Sequence, residues 1–513
     1  MRNRLLFLCL WPLLAVLQQS CDTRIKGELL PNQPPKTFTV VDTIIRNGND
    51  RFTSTVLLNW WGTDPDGFVV GYEFTFDPNP GPATVWIATN KTDSTFLLTV
   101  PSGQDTFDFR FTVRAIDNEG LKDPNPASVR YPVKNSPPDV DFVYAPAGGN
   151  PLAGGFPLVS YPVLRYEWLG TDPDGLQTLE SYELVFNDTL NGPGIFTLSA
   201  TFNEVILKAE NLNGVGSACL VYPGQNENPL ATRMQGLVFE DSNYVYIRAV
   251  DQSGARSAWQ QSRPTYVKRP TSSFLLINAY SSDPNPDLNA ANIQALYQTE
   301  FSNIGITNYD QIRIFQRQGN QFINLSPNNR TQSLVFDLFD QILWVGPDFD
   351  ISIVFAQNTL GRFLNGGGKV MLSLASSLGS AVVSNFYEFS PIDSLQAAPP
   401  GFEFLLGDTS SLSPVAANYP TLRYRGFTSS VRPIKFVGGV QPLYRANILL
   451  RGGSNPFPPF PLFNGNNVIM GMRTNTSNNS KFIITTLELH RLNNNNNLGV
   501  LLDRILKTEF GVQ

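Results

Sequence analysis

The sequence predicts a multidomain chain: two all-β sandwiches followed by an α/β domain with a mainly parallel sheet. Three observations predict it. The stretch Trp60-Trp61-Gly62-Thr63-Asp64-Pro65-Asp66-Gly67 returns 108 positions later as Trp168-Leu169-Gly170-Thr171-Asp172-Pro173-Asp174-Gly175. Each copy is followed by a second shared signature, Val113-Arg114-Ala115-Ile116-Asp117-Asn118-Glu119-Gly120 and then Ile247-Arg248-Ala249-Val250-Asp251-Gln252-Ser253-Gly254. Two separated signatures repeated in the same order indicate a duplicated domain. Beyond Pro270, alternation gives way to continuous aliphatic runs interleaved with helical periodicity.

The size and composition agree with this. A chain of 513 residues exceeds a single core, so about three or four domains are expected. With 42% hydrophobic and 16% charged residues, it has apolar material for folded cores and too little charge for a disordered chain. The formal charge of −6 argues against a nucleic-acid partner.

The first residues read as a targeting segment, 1–20. Arg2 and Arg4 precede an apolar run from Leu5 to Val16 and Leu17. That run is too short to span a bilayer and suits a signal peptide. Leu17-Gln18-Gln19-Ser20-Cys21 follows. It resembles the lipobox of bacterial, Bacteroidetes-like lipoproteins, although the two glutamines depart from its stricter form. The resemblance implies cleavage before Cys21, lipidation of that cysteine, and a place in the cell envelope, lipid-anchored at the outer membrane. Residues 21–36, with Pro31, Pro34 and Pro35, read as an extended lipidated tether. Only Cys219 then remains, with no partner for an intrachain disulfide, and it reads as a small buried hydrophobe.

Residues 37–135 form the first predicted sandwich. Short runs at 38–41, 56–60, 69–76, 86–88, 95–100, 108–115 and 129–133 supply seven strands with turn residues between them. A Trp in an early strand, Tyr72 in the next, then an alternating strand ending in Arg-Ala-Ile-Asp, resembles a fibronectin type III or immunoglobulin-like module. Residues 136–269 repeat the pattern, with Tyr182-Glu183 answering Tyr72-Glu73. The spacing leaves an insertion around Asn187–Asn228, read as a long loop or an extra hairpin. Trp60 and Trp168 take the core position. Trp61, Trp86 and Trp259 suit either packing or the face of a sugar.

The Asp-Pro-Asp-Gly segments admit two readings. One is a tight turn, in which Pro sets φ, Gly takes positive φ and the aspartates accept turn amides. The other is a calcium site, formed by Asp64, Asp66 and Asp117 in the first copy and by Asp172, Asp174 and Asp251 in the second. Calcium is the one cofactor these residues suggest.

Residues 270–513 read as the α/β domain. Strands are expected at 273–280, 309–315, 341–345, 369–375, 468–472 and 481–487, and helices at 289–304, 350–365 and 499–510. Residues 376–465 show weak periodicity, and the proline-rich 456–463 reads as an arm or a cover over a sheet edge. The aliphatic strand at 274–279, Gln341-Ile342-Leu343-Trp344-Val345, the join Arg362–Leu372 and the closing strand and helix together resemble the flavodoxin-like domain of class I glutamine amidotransferase-like proteins. That resemblance implies a cysteine on the turn after a strand, paired with a histidine. Here Ser376-Ser377-Leu378-Gly379 stands at that turn, and His490 is the only histidine. The fold is therefore read as kept and the catalytic set as absent: catalytic residues, none.

The function expected is a non-enzymatic envelope lipoprotein that acts as a binding or scaffold protein. Its partners would be the membrane, through the lipid, and an envelope protein or glycan. The alternatives are a hydrolase or amidotransferase-like enzyme with a non-cysteine nucleophile, or a structural component of an envelope secretion or attachment complex.

Overall fold

A computed structural model describes residues 30–40, 55–144, 158–190, 192, 194–313, 323–324, 328–347, 349–375, 388–408, 410–452 and 457–513. Cys21, Ser376 and Ser377 lie outside the described residues. Strand accounts for 43% of the chain and helix for 13%, so the chain is mostly β. It forms two compact units, divided between Ser136 and Pro137. No helix among the described residues is long and apolar enough to cross a membrane.

The first unit is a seven-stranded sandwich. Its strands are β1 (Lys36–Val40), β2 (Thr55–Thr63), β3 (Val69–Thr75), β4 (Ile87–Thr89), β5 (Asp93–Leu97), β6 (Thr106–Asp117) and β7 (Ala127–Lys134). A three-stranded sheet β1-β2-β5 faces a four-stranded sheet β4-β3-β6-β7, the two-layer arrangement of fibronectin type III-like and immunoglobulin-like modules. The alternation in β6 explains its place: Phe111, Val113 and Ala115 are buried, and Arg110 and Arg114 lie on the outer side. Trp60, 2% exposed, sits in the middle against Tyr72, Phe74 and Phe111.

The second unit opens with the second copy. Its strands are β8 (Asp139–Phe142), β9 (Val159–Ser160), β10 (Val163–Thr171), β11 (Leu179–Phe186), β12 (Phe196–Ser199), β13 (Glu204–Ala209), β14 (Gly216–Pro223), β15 (Arg233–Val238), β16 (Asp241–Asn243), β17 (Val245–Asp251), β18 (Gln260–Gln261) and β19 (Thr265–Val267). The sheets β15-β14-β13-β10-β8 and β12-β11-β17-β18 repeat the first module's layers. The extra residues are the hairpin β14–β15, which widens one layer. It begins at Gly216, within the stretch Asn187–Asn228 where an insertion was expected, and runs on to Val238. Trp168, 1% exposed, packs edge-on to Tyr182 at 5.3 Å.

The glycine of the repeated motif has a steric cause in both copies. A Cβ on Gly170 would fall 2.1 Å from the Tyr182 hydroxyl, and one on Gly62 would fall 2.9 Å from Ala115 Cβ. The strand carrying the tryptophan can pass this close to its neighbours only without a side chain at that point.

The rest of the second unit is built on one ten-stranded sheet. Its strands come from β20 (Phe274–Asn278), β21 (Asp310–Arg313), β22 (Ile323–Asn324), β23 (Gln341–Gly346), β24 (Lys369–Leu374), β25 (Ile392–Leu395), β26 (Phe402–Leu405), β27 (Ser411–Pro414), β28 (Leu422–Arg423), β29 (Ile434–Phe436), β30 (Gln441–Ala446), β31 (Leu449–Gly452), β32 (Val468–Asn475) and β33 (Ser480–Thr485). The order is β22-β21-β20-β23-β24-β33-β32-β30-β27-β28. From β22 to β33 each pairing is parallel, and from β33 to β28 each is antiparallel. The unalternating sequences divide between two faces. Leu276, Leu343, Met371 and Ile483 enter one core, and Leu275, Ile277, Trp344, Leu372 and Ile484 enter the other.

Helices cover both faces. Helix α1 (Ala290–Asn303) starts at Asn289, whose side chain caps the amides of Ala291 and Asn292. It shares the first face with the closing helix α4, which runs from Leu498 to Phe510 and stops at Gly511, φ 79°. Helices α2 (Asn329–Phe336) and α3 (Phe349–Asn365) cover the second face.

Of the antiparallel half of the sheet, β32 is the eight-residue strand expected from 468–472, and β30, β27 and β28 come from the stretch without periodicity as strands of two to six residues. Part of the proline-rich arm borders β31: Leu450 N–H donates to Pro461 O, and Phe463 N–H to Ile448 O. The second sandwich does not stand apart. Tyr161, Val163, Ile206 and Tyr222 join the core around α2 and α3. The Tyr161 hydroxyl donates to Asp310 at 3.1 Å, and Lys208 and Arg362 both pair with Asp337.

The motif glycine supplies a test of the repeat. Gly170→Ala should destabilise the second unit by about 1–3 kcal/mol through overpacking, read by denaturant or thermal unfolding. Tyr182→Phe in the same chain should return part of the loss by removing the hydroxyl. Wild-type stability in Gly170→Ala would show that the tyrosine yields freely.

Candidate functional site

Three places gather the residues singled out in the sequence: the aspartate turns, the strand ends around His490, and the outer face of the first sandwich.

In the first copy Asp117 organises the turn that follows β6. Its Oδ1 accepts the amides of Glu119 and Leu121, and its Oδ2 accepts Asn32 Nδ2 at 2.8 Å. Asp66 accepts the Gln33 amide at 3.0 Å. Residues 32 and 33, from the stretch read as tether, are thus bound to the turns. Burial raises the pKa of Asp64, and the charges of Asp66 and Asp117 add to the rise. In the second copy Asp172 accepts the Asp174 amide at 2.8 Å and the Thr178 hydroxyl at 2.6 Å. Burial raises its pKa, and Asp174 and Asp251 add to the rise. Asp251 accepts the Ala255 amide at 2.8 Å. Each set of three aspartates is therefore brought together; turn amides engage Asp117, Asp172 and Asp251, whereas both Asp64 oxygens are buried with no hydrogen-bond partner among the described residues. Among the described residues, no group of three or more His, Cys, Asp or Glu is disposed to hold a metal ion.

His490 lies in a short 3-10 turn after β33, pinned by Ser373, whose Oγ donates to Leu487 O and accepts the Leu489 amide. The ring is 1% exposed. Its Nδ1 is 3.4 Å from the Tyr280 hydroxyl, with the rings edge to face. Burial, with Arg491 adding to it, pushes its pKa down to about 3, so the imidazole is neutral at ordinary pH. Beside it Glu488 pairs with Arg491 at 2.7 Å, and burial raises the Glu488 carboxyl. Asp287 and Arg425 continue the charged chain to the surface. Cys219 is fully buried on β14, where desolvation pushes its thiol well up.

The outer face of the β4-β3-β6-β7 sheet holds a cluster that sequence reading missed. Glu73, opposite Arg114 in register, pairs with Arg114 Nε at 2.5 Å and with Lys122 Nζ at 2.9 Å. The second module repeats it: Glu183 pairs with Arg248 at 2.5 Å and with Arg256 at 3.1 Å. Burial alone would raise both glutamates, but hydrogen bonds and charge from the two cations outweigh it and hold each carboxyl low. The signal was present in the sequence, since Tyr-Glu and Arg-Ala recur in both copies, but only the fold brings them face to face.

In each module a tryptophan covers the arginine, from opposite sides. Trp86, just before β4, lies 4.0 Å under the Arg114 guanidinium. Trp259, just before β18, lies 4.3 Å under that of Arg248. Trp61 instead stacks on Phe38 at 5.4 Å.

In the first module this face is open. A groove of about 540 Å³ is walled by Pro80, Gly81, Pro82 and Trp86 on one side and Pro126 on the other. Its floor carries Arg110, Thr112, Arg114 and Ser128. Arg110 donates to the Ser128 hydroxyl and to Pro78 O. The wall loop is braced: Thr84 donates to Asp77 at 2.6 Å and accepts the Gly81 amide at 2.8 Å, and Asp77 accepts the Asn79 amide.

No family model matches the chain, and no curated protein does. Solved structures similar to part of it include the PKD1 domain of Vibrio anguillarum Epp, with TM-score 0.14 and 16% identity over 20% of this chain and 96% of that one. The fibronectin(III)-like modules of Clostridium thermocellum CbhA match with TM-score 0.16 and 10% identity over 45% of this chain and 95% of that one. A two-domain fibronectin type III segment of chicken tenascin matches with TM-score 0.20 and 14% identity over 45% and 98%. At these scores the sandwich assignment rests on the chain's own strand pairing.

Two measurements follow from this geometry. Because turn amides engage Asp117, Asp172 and Asp251, a chelator should leave the melting temperature unchanged; a rise of several degrees on adding calcium would establish the metal reading instead. Glu183→Gln should cost about 1–3 kcal/mol at neutral pH. Glu183 has a lowered folded pKa, so its stabilisation is full above the ordinary glutamate value of about 4.3 and is lost as pH falls through the folded value. Wild-type and Glu183→Gln melting curves should therefore converge in acid; a constant gap would reject the ion cluster as the cause.

Proposed function

We propose that the protein is a non-enzymatic, lipid-anchored component of a bacterial cell envelope that binds or scaffolds another envelope molecule. In this reading Cys21 carries the lipid and the first module bears the binding face. The second module and the C-terminal domain act as one packed block. The observation that carries the proposal is the open, braced, arginine-lined groove on the first sandwich. A preformed concave surface with a few convergent polar groups is what a recognition site requires. The parallel strand order around β20 supports the finer reading of the C-terminal domain as an amidotransferase-like fold whose cysteine has been lost. The buried, neutral His490 supports a packing role for its strand-end cluster.

A hydrolase or amidotransferase-like enzyme with a non-cysteine nucleophile is favoured by one observation, the 3.4 Å approach of His490 Nδ1 to the Tyr280 hydroxyl. An imidazole that close to a hydroxyl can act as its base once a conformational change admits substrate.

The full exported chain with Cys21→Ser, immobilised, decides between them. Saturable binding to a defined glycan on an array, or to an identified envelope protein, is the expected result. Absence of either would overturn the binding reading. A hydrolytic activity that disappears in His490→Ala, with the fold intact, would establish the enzyme.

A further inference from the structure

We infer that the groove on the outer face of the first sandwich binds an acidic glycan, a chain of hydroxylated rings bearing carboxylates. This deepens the binding reading above and rests on it.

Charge is the first argument. Among the described residues the groove is lined by two arginines and no acid, in a chain with 43 acidic residues against 37 basic ones. Arg110 also lies directly opposite Arg130 across the β6–β7 ladder. Like charges in that position repel, and among the described residues neither has a carboxylate within ion-pair distance, unlike their neighbour Arg114. Among the described residues the groove arginine Arg110 and its cross-strand neighbour Arg130 are thus a cationic pair without a carboxylate, and a bound carboxylate at Arg110 would relieve it. Arginine's planar fork suits a carboxylate in particular.

The rest of the lining selects the class. Thr112 and Ser128, 3.2 Å from each other, offer hydroxyls, and Trp86 and the prolines offer apolar walls. Trp86 is held in place by Arg114, which is itself anchored by Glu73. Hydroxyls beside an aromatic wall suit a ring with polar edges and apolar faces. A peptide is less well served. The floor is the face of a sheet whose amides and carbonyls are already engaged in the β3–β6 and β6–β7 ladders. The edge strand β4 is only three residues long, Ile87–Thr89, and gives an added strand little ladder to extend. Strand addition, the usual way to read a peptide backbone, has no place here.

The second module has lost the arrangement while keeping the ion cluster. At the offset that relates Arg114 to Arg248, Arg110 and Thr112 correspond to Tyr244 and Tyr246. The cluster is common to both copies; the cationic floor belongs to the first.

The test uses the full exported chain with Cys21→Ser, titrated calorimetrically with polygalacturonate, uncharged dextran and polyglutamate. Expected are binding of polygalacturonate, weakened by salt, no binding of dextran, and polyglutamate weaker by about tenfold or more. Arg110→Ala should weaken polygalacturonate binding about tenfold or more without moving the melting temperature, and Arg110→Lys should restore part of it. Equal or tighter binding of polyglutamate would overturn the glycan in favour of an acidic peptide. Unchanged affinity in Arg110→Ala would overturn the site. If polygalacturonate fails while the array or pull-down still yields a specific partner, the acidic-glycan class is wrong and the binding function stands; if both fail, both readings fall.

Discussion

In each sandwich one large indole has to be closed over completely, and the rest of the module is arranged to permit it. Trp60 and Trp168 are almost fully buried. Each brings more apolar area than a small two-layer core can easily enclose. The tyrosine of the next strand supplies one wall, and the glycine two residues after each tryptophan lets a neighbour approach, Tyr182 at Gly170 and Ala115 at Gly62. The aspartates that follow tie the turn, so the tryptophan strand enters it at a fixed angle. The repeated motif is therefore a single packing solution read along the chain: indole, gap, turn.

The second module had to solve a further problem, because it covers part of another domain. Helix α2 shows this. Seven of its eight residues, Arg330 to Phe336, are buried, including Arg330, Gln332 and Ser333. A helix covered only by its own sheet would keep such residues in water. Here the second sandwich lies on its other side. Arg330 reaches Glu227 at 3.0 Å and stacks near Tyr222. Polar groups enclosed on both sides persist only when paired, and the pairs Arg330–Glu227, Lys208–Asp337 and Tyr161–Asp310 all cross this boundary. They fix how the sandwich sits on the sheet in a way apolar contact alone would not.

Much of this architecture was legible in the residues. Alternation in β6 and the aliphatic runs of β20, β23 and β24 announced their burial, and the cap at Asn289 lay where helical spacing begins. Helix α2 was not among the expected helices: it is eight residues long and carries polar side chains that only the second sandwich buries. In the antiparallel half of the large sheet β32 was expected, but β30, β27 and β28 were not: strands as short as Leu422–Arg423 carry no period to detect. The ion clusters failed for a third reason. Glu73 and Arg114 are 41 positions apart, and Glu183 and Arg248 are 65 apart. No local rule joins residues at such separations; only strand pairing does.

The two copies also show how a face can be conserved in mechanism and free in use. Each keeps a glutamate between two cations and an indole over the central arginine, yet the indole arrives from β4's side in one copy and from β18's in the other. What both retain is the need to shield an arginine anchored on an exposed sheet: a guanidinium held by a carboxylate on one edge still presents a flat face, and an indole covers it with little loss of hydration. Once that need is met from either side, the remaining floor positions are released from packing. In the second copy they are tyrosines; in the first they are arginine and threonine beside a braced proline loop. A surface whose stability is already secured by the cluster can accumulate an unbalanced charge pair such as Arg110 and Arg130, because the fold does not depend on neutralising it.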